Sequence, residues 1–319
     1  MSSEEKSPRI AFIFPGQGAQ YVGMGHDFCG AFSVARETFE EANHILGESF
    51  SQLIFEGPEE KLTETRNSQL GIYITSIALM RVLQSQLPKL RPSVCAGLSL
   101  GEYSAVTASG RISFADCLPL VRARGTYMND ACESTEGGMA VVTGLDAAEV
   151  EFLVEELSLP EDLWAANYNC PGQIVVSGTQ KGIDAFTEAA KKQGAKRVLP
   201  LNVHGAFHSG LMQSAESRLA PHVIEASFVD SDIDLVMNVP GTYVKDLAQI
   251  RNHLIKQVTS PVRWEQGIRK MDPEVDLFIG FGPCKSLLGM NRKIGVKGRT
   301  LTLDKITDLD QLLEAVCAS

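Results

Sequence analysis

Short apolar runs alternate along the chain with longer stretches in which apolar residues recur every three or four positions. The runs have strand length: 10–14 (IAFIF), 94–96, 139–142, 164–166, 174–177, 198–203, 235–237, 277–279 and 300–303. The longer stretches, at 31–46, 71–86, 114–130, 147–157, 182–193, 211–224, 244–257, 262–270 and 308–318, have the period of a helix with one buried face. Strand-to-helix alternation of this kind predicts an α/β fold with a mainly parallel sheet. The segment 131–205 reads differently. After Gly137-Gly138 it runs strand, helix, strand, strand, helix, strand, the order of a ferredoxin-like unit. The expected architecture is a large α/β-hydrolase-like lobe made of 1–130 and 206–319, with a small ferredoxin-like α+β lobe inserted at 131–205. A cleft between two such lobes is a usual place for a site.

Composition narrows the function classes. A chain of 319 residues, 44% hydrophobic and 21% charged, has the balance of a soluble globular protein large enough for two lobes. No apolar run approaches the ~20 residues that span a bilayer. The N-terminal MSSEEKSPR lacks the basic start and apolar stretch of a signal peptide, so a cytoplasmic protein is expected, without membrane attachment. A net charge of −10 weighs against nucleic acid as the partner. It leaves room for an acidic partner that docks on a local basic patch. Seven cysteines, an odd number, include no C-x-x-C and no Cys/His pair at metal spacing. Reduced thiols are expected, with Cys95 and Cys117 filling core space, and no metal or cofactor.

The chemistry begins at Ser99. It lies at the centre of Gly97-Leu98-Ser99-Leu100-Gly101, in the string CAGLSLGEYSA. A G-x-S-x-G between a strand and a helix is the pattern of a nucleophile elbow, a tight turn that exposes the hydroxyl. The helix that follows aims free N–H groups at an anion forming there. Four further features accompany it. Phe14-Pro15-Gly16-Gln17-Gly18-Ala19-Gln20 follows the first strand and lacks the Lys-Ser/Thr of a phosphate loop, so the Gln17 main-chain N–H becomes a candidate oxyanion donor. His208, in Gly205-Ala206-Phe207-His208-Ser209, follows a predicted strand and a glycine, where it could reach Ser99 as its base. Arg124, followed by Gly125, could face a cleft and bind a carboxylate bidentately instead of sitting on a solvated helix face. The amides of Asn167-Tyr168-Asn169-Cys170-Pro171-Gly172-Gln173 either make a turn or line the cleft.

Taken in order, FPGQGAQ, Gln69, GLSLGEYSA, RARG, ANYNCPGQ, GAFHS, SPVRW and GFGPCKSL resemble the malonyl-CoA:acyl carrier protein transacylases of fatty acid synthesis. The acyltransferase domains of polyketide synthases share the pattern. The resemblance runs from about residue 9 to residue 303. It implies that Ser99 is the acylated nucleophile and His208 its general base, with the imidazole oriented by the main-chain carbonyl of Gln257. The N–H groups of Gln17 and Leu100 would form the oxyanion hole. Arg124 would hold the malonyl carboxylate, and Gln69 and Asn169 would line the cleft. Lys196 and Arg197, together with Arg292 and Lys293, match basic positions that dock the acidic carrier protein. The implied reaction is ping-pong transfer of malonyl from malonyl-CoA, through a malonyl-serine, to the phosphopantetheine thiol of acyl carrier protein, by a monomeric enzyme.

Two positions depart from the family pattern. Leu98 stands where many members have histidine, which implies a changed pocket wall with the chemistry intact. Cys284 stands in GPC where GPG is frequent. Phe207 before the histidine accompanies malonyl selectivity among related acyltransferase domains, since its ring would crowd an α-methyl branch. The enzymatic rival, a serine hydrolase of the α/β-hydrolase class, requires an acid strand between Ser99 and His208 and often an HGGG-type loop, which is absent from the sequence. A polyketide-type acyltransferase serving another carrier protein and a scaffold without activity are the other readings. The scaffold predicts loss of the site residues, and Ser99, Arg124 and His208 are all present.

Overall fold

The computed structural model describes residues 8–317, so the last position of the helix expected at 308–318 lies outside the described residues. Its strands are β1 (Ile10–Phe14), β2 (Val94–Gly97), β3 (Gly138–Thr143), β4 (Leu163–Cys170), β5 (Gln173–Gly178), β6 (Arg197–Pro200), β7 (Asp234–Met237), β8 (Thr242–Tyr243), β9 (Leu277–Phe281) and β10 (Arg299–Leu303). Six of them form one sheet in the order β10-β9-β1-β2-β7-β8. Every pairing in it is parallel except that of β8 with β7. Every residue of β1, β2 and β9 is buried, because helices cover both faces. That double cover is why these strands read as unbroken apolar runs.

The other four strands form an antiparallel sheet in the order β4-β5-β3-β6, with helices Ala147–Leu157 and Gln180–Lys192 packed on it. This is the ferredoxin-like arrangement, and it has its own core around Val142, Val150, Leu153, Ile174 and Phe186. One strand ties it to the large lobe. The Tyr168 N–H of β4 donates to the Val262 carbonyl (2.9 Å), and the Val262 N–H donates to the Ala166 carbonyl (2.8 Å). The strand register shifts on both sides of this bridge, between Ala165 and Asn167 and again between Tyr168 and Cys170.

Several elements differ from expectation, each for a local reason. The helix Thr65–Gln86 begins a full turn and more before the expected 71, because its first turns bury polar residues, Ser68 and Gln69 among them, and carry no apolar period. The expected helix 31–46 is broken at Phe32, whose backbone is extended, into His26–Ala31 and Ser33–Leu46. The helix Lys285–Ile294 went unforeseen. Gly289 interrupts its short apolar face of Leu287, Met290 and Ile294. The helices Phe50–Glu56 and Glu59–Thr63 are too short to show a period. The expected strand 198–203 stops at Pro200, and Leu201, Asn202 and Val203 turn to line the cleft instead. Among the described residues, no helix is long and apolar enough to cross a membrane.

Candidate active site

The loop after β1 and the turn after β2 meet at the carboxyl ends of adjacent parallel strands, where ligands enter α/β sheets. The turn is as tight as its sequence implies. A Cβ on Gly97 would fall on the backbone of Gly101, and one on Gly101 would fall on the Phe14 carbonyl. Ser99 between them takes a left-handed backbone, φ 51°, and the helix Gly101–Ala108 starts two residues later. A non-glycine residue held there is strained unless its surroundings fix it. Here they do. The Ser99 N–H donates to Asn238 Oδ1 (2.7 Å), and Asn238 Nδ2 donates to the Gly97 carbonyl (2.7 Å).

Ser99 Oγ lies 2.8 Å from His208 Nε2, and His208 Nδ1 lies 2.8 Å from the main-chain carbonyl of Gln257. A carbonyl only accepts, so Nδ1 carries the proton and Nε2 is left as the acceptor for the serine O–H. His208 is buried, with a left-handed backbone of its own, φ 58°. Burial first, and then the Arg124 charge, push its pKa down to about 4, against the hydrogen bonding of the imidazole to the Gln257 and Ser260 backbone, which raises it. The imidazole is therefore neutral at neutral pH, the form a general base needs.

Arg124 is only 1% exposed. Its Nη1 donates to Gln69 Oε1 (2.6 Å), and its Nη2 donates to Gln257 Oε1 (2.8 Å) and Ser99 Oγ (3.1 Å). Its Nε has no acceptor among the described residues, nor does any carboxylate lie within ion-pair distance of it. A guanidinium with unused donors beside a serine–histidine pair can receive an anion. Neither the Gln17 nor the Leu100 main-chain N–H donates to a protein acceptor among the described residues.

A cavity of about 350 Å³ opens over Ser99 and His208, lined by Gln17, Leu98, Asn169, Phe207 and Met290 among others, with Arg124 buried beside Ser99 and not itself among the lining residues. Asn169 is buried, and its Oδ1 has no hydrogen-bond partner among the described residues. Leu98 forms part of the wall and packs on the cluster that contains Met290 and Cys284. Cys284 is fully buried, and burial raises its thiol pKa well above the usual range. Gln69 needs correction. It does not line the cavity but lies fully buried behind Arg124, as the acceptor of Nη1, because its helix starts earlier than its apolar pattern does. Gln17 Oε1 in turn accepts from Gln69 Nε2 (3.4 Å).

Two of the four basic residues, Arg197 and Lys293, are linked across the two lobes. Arg197 pairs across the small sheet with Thr143, and Thr143 with Gln173. Lys293 Nζ, on the large-lobe helix Lys285–Ile294, donates to Gln173 Oε1 (3.0 Å). Lys196, Arg197, Arg292 and Lys293 are all exposed.

Sequence reasoning missed Glu102 and Asn238. Glu102 is fully buried beneath the elbow, and burial raises its carboxyl to about 8. A glutamate inside GLSLGEYSA, on the first turn of a buried helix, was the available signal. Asn238 follows β7 and left no signal in the local pattern. Among the described residues no group of three or more His, Cys, Asp or Glu is placed to hold a metal ion.

A strained serine, a neutral histidine and a buried arginine meet at the carboxyl edge of the parallel sheet, an arrangement chemically able to carry acyl transfer through a serine. The chain belongs to the acyl transferase domain family, whose model matches residues 11–300. It is 41% identical over 297 residues to the malonyl CoA-acyl carrier protein transacylase of Bacillus subtilis, covering 92% of this chain and 93% of that one. It is 37% identical to the enzyme of that name from Escherichia coli K12, covering 90% and 93%. The solved malonyl CoA-acyl carrier protein transacylase of Coxiella burnetii superposes with a TM-score of 0.92 at 32% identity, over 97% of this chain and 98% of that one. A malonyl-transacylase solved in complex with its type II PKS acyl-carrier protein superposes with a TM-score of 0.91 at 33% identity, over 96% and 99%.

Proposed function

We propose that this protein transfers malonyl from malonyl-CoA to the phosphopantetheine thiol of an acyl carrier protein, supplying extender units for fatty acid synthesis. The observation that carries the reading is Arg124, a buried cation whose Nη2 lies 3.1 Å from Ser99 Oγ and whose Nε has no acceptor among the described residues. The malonyl carboxylate pairs with the donors of the guanidinium that no protein group takes, while Gln69 and Gln257 keep it in place. Ser99 gives its proton to His208 Nε2 and attacks the thioester carbonyl. The main-chain N–H groups of Gln17 and Leu100 receive the oxyanion, a contribution worth on the order of 10²–10³ in rate per donor. His208 then protonates the departing CoA sulfur, leaving malonyl on Ser99. The carrier-protein thiol repeats these steps in reverse, which makes the kinetics ping-pong.

Asn169 offers its free Oδ1 to the bound substrate, and the Phe207 ring limits branching next to the thioester. Lys196, Arg197, Arg292 and Lys293 receive the acidic carrier protein. We take the lobes to divide at 131 and 205. The protein acts in the cytoplasm as a monomer and uses no cofactor. Intact mass after brief mixing with malonyl-CoA tests the reading. A malonyl adduct on the parent protein, absent from Ser99→Ala and slower with methylmalonyl-CoA, is expected. CoA release that needs Ser99 but leaves no adduct and requires no acceptor thiol would make the protein a hydrolase instead.

A further inference from the structure

Glu102 touches none of the reacting groups, yet its two oxygens meet two donors. Oε1 accepts from the Asn238 main-chain N–H (2.6 Å), and Oε2 accepts from Gln257 Nε2 (2.6 Å). Gln257 Nε2 also donates to the Ser99 carbonyl (3.0 Å), which leaves Gln257 Oε1 turned to Arg124 Nη2 (2.8 Å). A side-chain amide is nearly symmetric in shape, so only its partners fix which end is oxygen. If Gln257 were reversed, its NH₂ would face the guanidinium, donor against donor. Its oxygen would then face the Glu102 carboxylate and the Ser99 carbonyl. The Glu102 oxygen, at 2.6 Å the shortest contact of Gln257 Nε2, works with the Ser99 carbonyl and Asn238 Oδ1 (3.4 Å) to set which way the amide points, and the amide decides how Arg124 is held.

The separation between Glu102 and Arg124 matters as well. A carboxylate in direct contact with Arg124 would occupy the donors that an incoming anion needs. With one amide interposed, Glu102 fixes the Gln257 side chain without occupying any donor of the guanidinium. We propose that Glu102 is a positioning residue for the reaction, acting through the Gln257 side chain to present Arg124 to the carboxylate of the acyl donor. The inference rests on the function proposed above, and it adds a residue to that site.

The test compares rates of Ser99 acylation by malonyl-CoA and by acetyl-CoA, which has no carboxylate for Arg124. Glutamine at 102 has one oxygen for two donors, so it must abandon either Asn238 or Gln257. Glu102→Gln is expected to lower the malonyl-to-acetyl rate ratio about tenfold, the scale of one charged hydrogen bond. Gln257→Leu keeps the carbonyl that orients His208 and is expected to lower the ratio by a similar factor. The double variant should do no more than either single one, since both break the same link. Whatever negative charge is lost with Glu102 would by itself favour an anionic donor, so a fall in the ratio reports orientation and not charge. A ratio that is unchanged or raised in Glu102→Gln, or effects that add in the double variant, would overturn the inference. If Glu102→Gln does not fold, Glu102→Asp retains the carboxyl group but is one carbon too short for Gln257, and the same fall is expected. An unchanged ratio there overturns the inference too. A parent protein that forms no malonyl adduct overturns the proposed function and this inference with it. A parent adduct with an unchanged ratio overturns this inference alone.

Discussion

The protein carries arginines in two contrasting settings. Arg124 is buried, with three hydrogen-bond acceptors and the Glu102 carboxyl group one amide away. Arg197 and Arg292 stand in water with neither an ion pair nor a side-chain hydrogen bond among the described residues. Burying a guanidinium is costly unless its donors are matched, so Arg124 required a built pocket of amides. That pocket excludes water and fixes the charge in one place, where a hydrogen bond to an anion keeps most of its strength. The surface cations need no such construction, and solvent and salt weaken each of them. The buried arginine is suited to choosing a substrate, and the exposed ones to attracting a partner.

Removing the buried charge is the largest test of that contrast. Arg124→Ala is expected to slow Ser99 acylation by malonyl-CoA about 10- to 100-fold more than acylation by acetyl-CoA, the range of a charge-assisted hydrogen bond to a carboxylate. Equal losses with both donors would make Arg124 a structural support for the Ser99–His208 pair, and the division of labour between buried and exposed cations would fall.

The same contrast explains what could be read in the sequence. The elbow was legible because Gly97 is dictated by the Gly101 backbone four residues on, and Gly101 by the Phe14 carbonyl of the neighbouring strand, so both requirements leave their glycines in one short string. The sheets were legible because burial on two faces or one leaves different apolar patterns in β1 and β3. The partners of Arg124 were not. Gln69, Gln257 and Glu102 come from three distant helices or helix ends, and no local period brings them together. Their polarity even hid structure, since the polar start of Thr65–Gln86 erased its helical signal. The resemblance supplied Gln257 through its carbonyl, whereas its side-chain role required the fold. Glu102 sat in plain view within the elbow motif, but its purpose depends on Asn238, 136 positions further on.

Burial also sets the pH range of the site. Because His208 is pushed down to about 4, it stays neutral as pH falls below the ordinary histidine value of about 6.5. The rate of Ser99 acylation should therefore hold a plateau from pH 7.5 down to about 5 and decline only as pH nears 4. A histidine with the ordinary pKa would lose roughly 30-fold by pH 5. Single-turnover acylation across that range distinguishes the two. A decline centred near 6.5 would mean that the buried site is wetter than its hydrogen bonds imply.

The smallest effects belong to the exposed cations. Charge reversal is the sharper probe, because deletion leaves the remaining patch to compensate. Arg197→Glu and Arg292→Glu are each expected to raise the KM for the carrier protein about threefold at low ionic strength, in proportion to an exposed, screened contact. The effect should fade in 0.5 M salt, where the screening length drops to roughly 4 Å. Both positions should respond alike, since Thr143 and Gln173 join the small-lobe and large-lobe halves of the patch into one face through the Lys293 contact. A loss of tens-fold that persists in salt would mean that the carrier protein desolvates one of these arginines as thoroughly as the fold desolvates Arg124. The line between a buried cation that selects and exposed cations that attract would then run through the complex, and the surface of the free protein would no longer mark it.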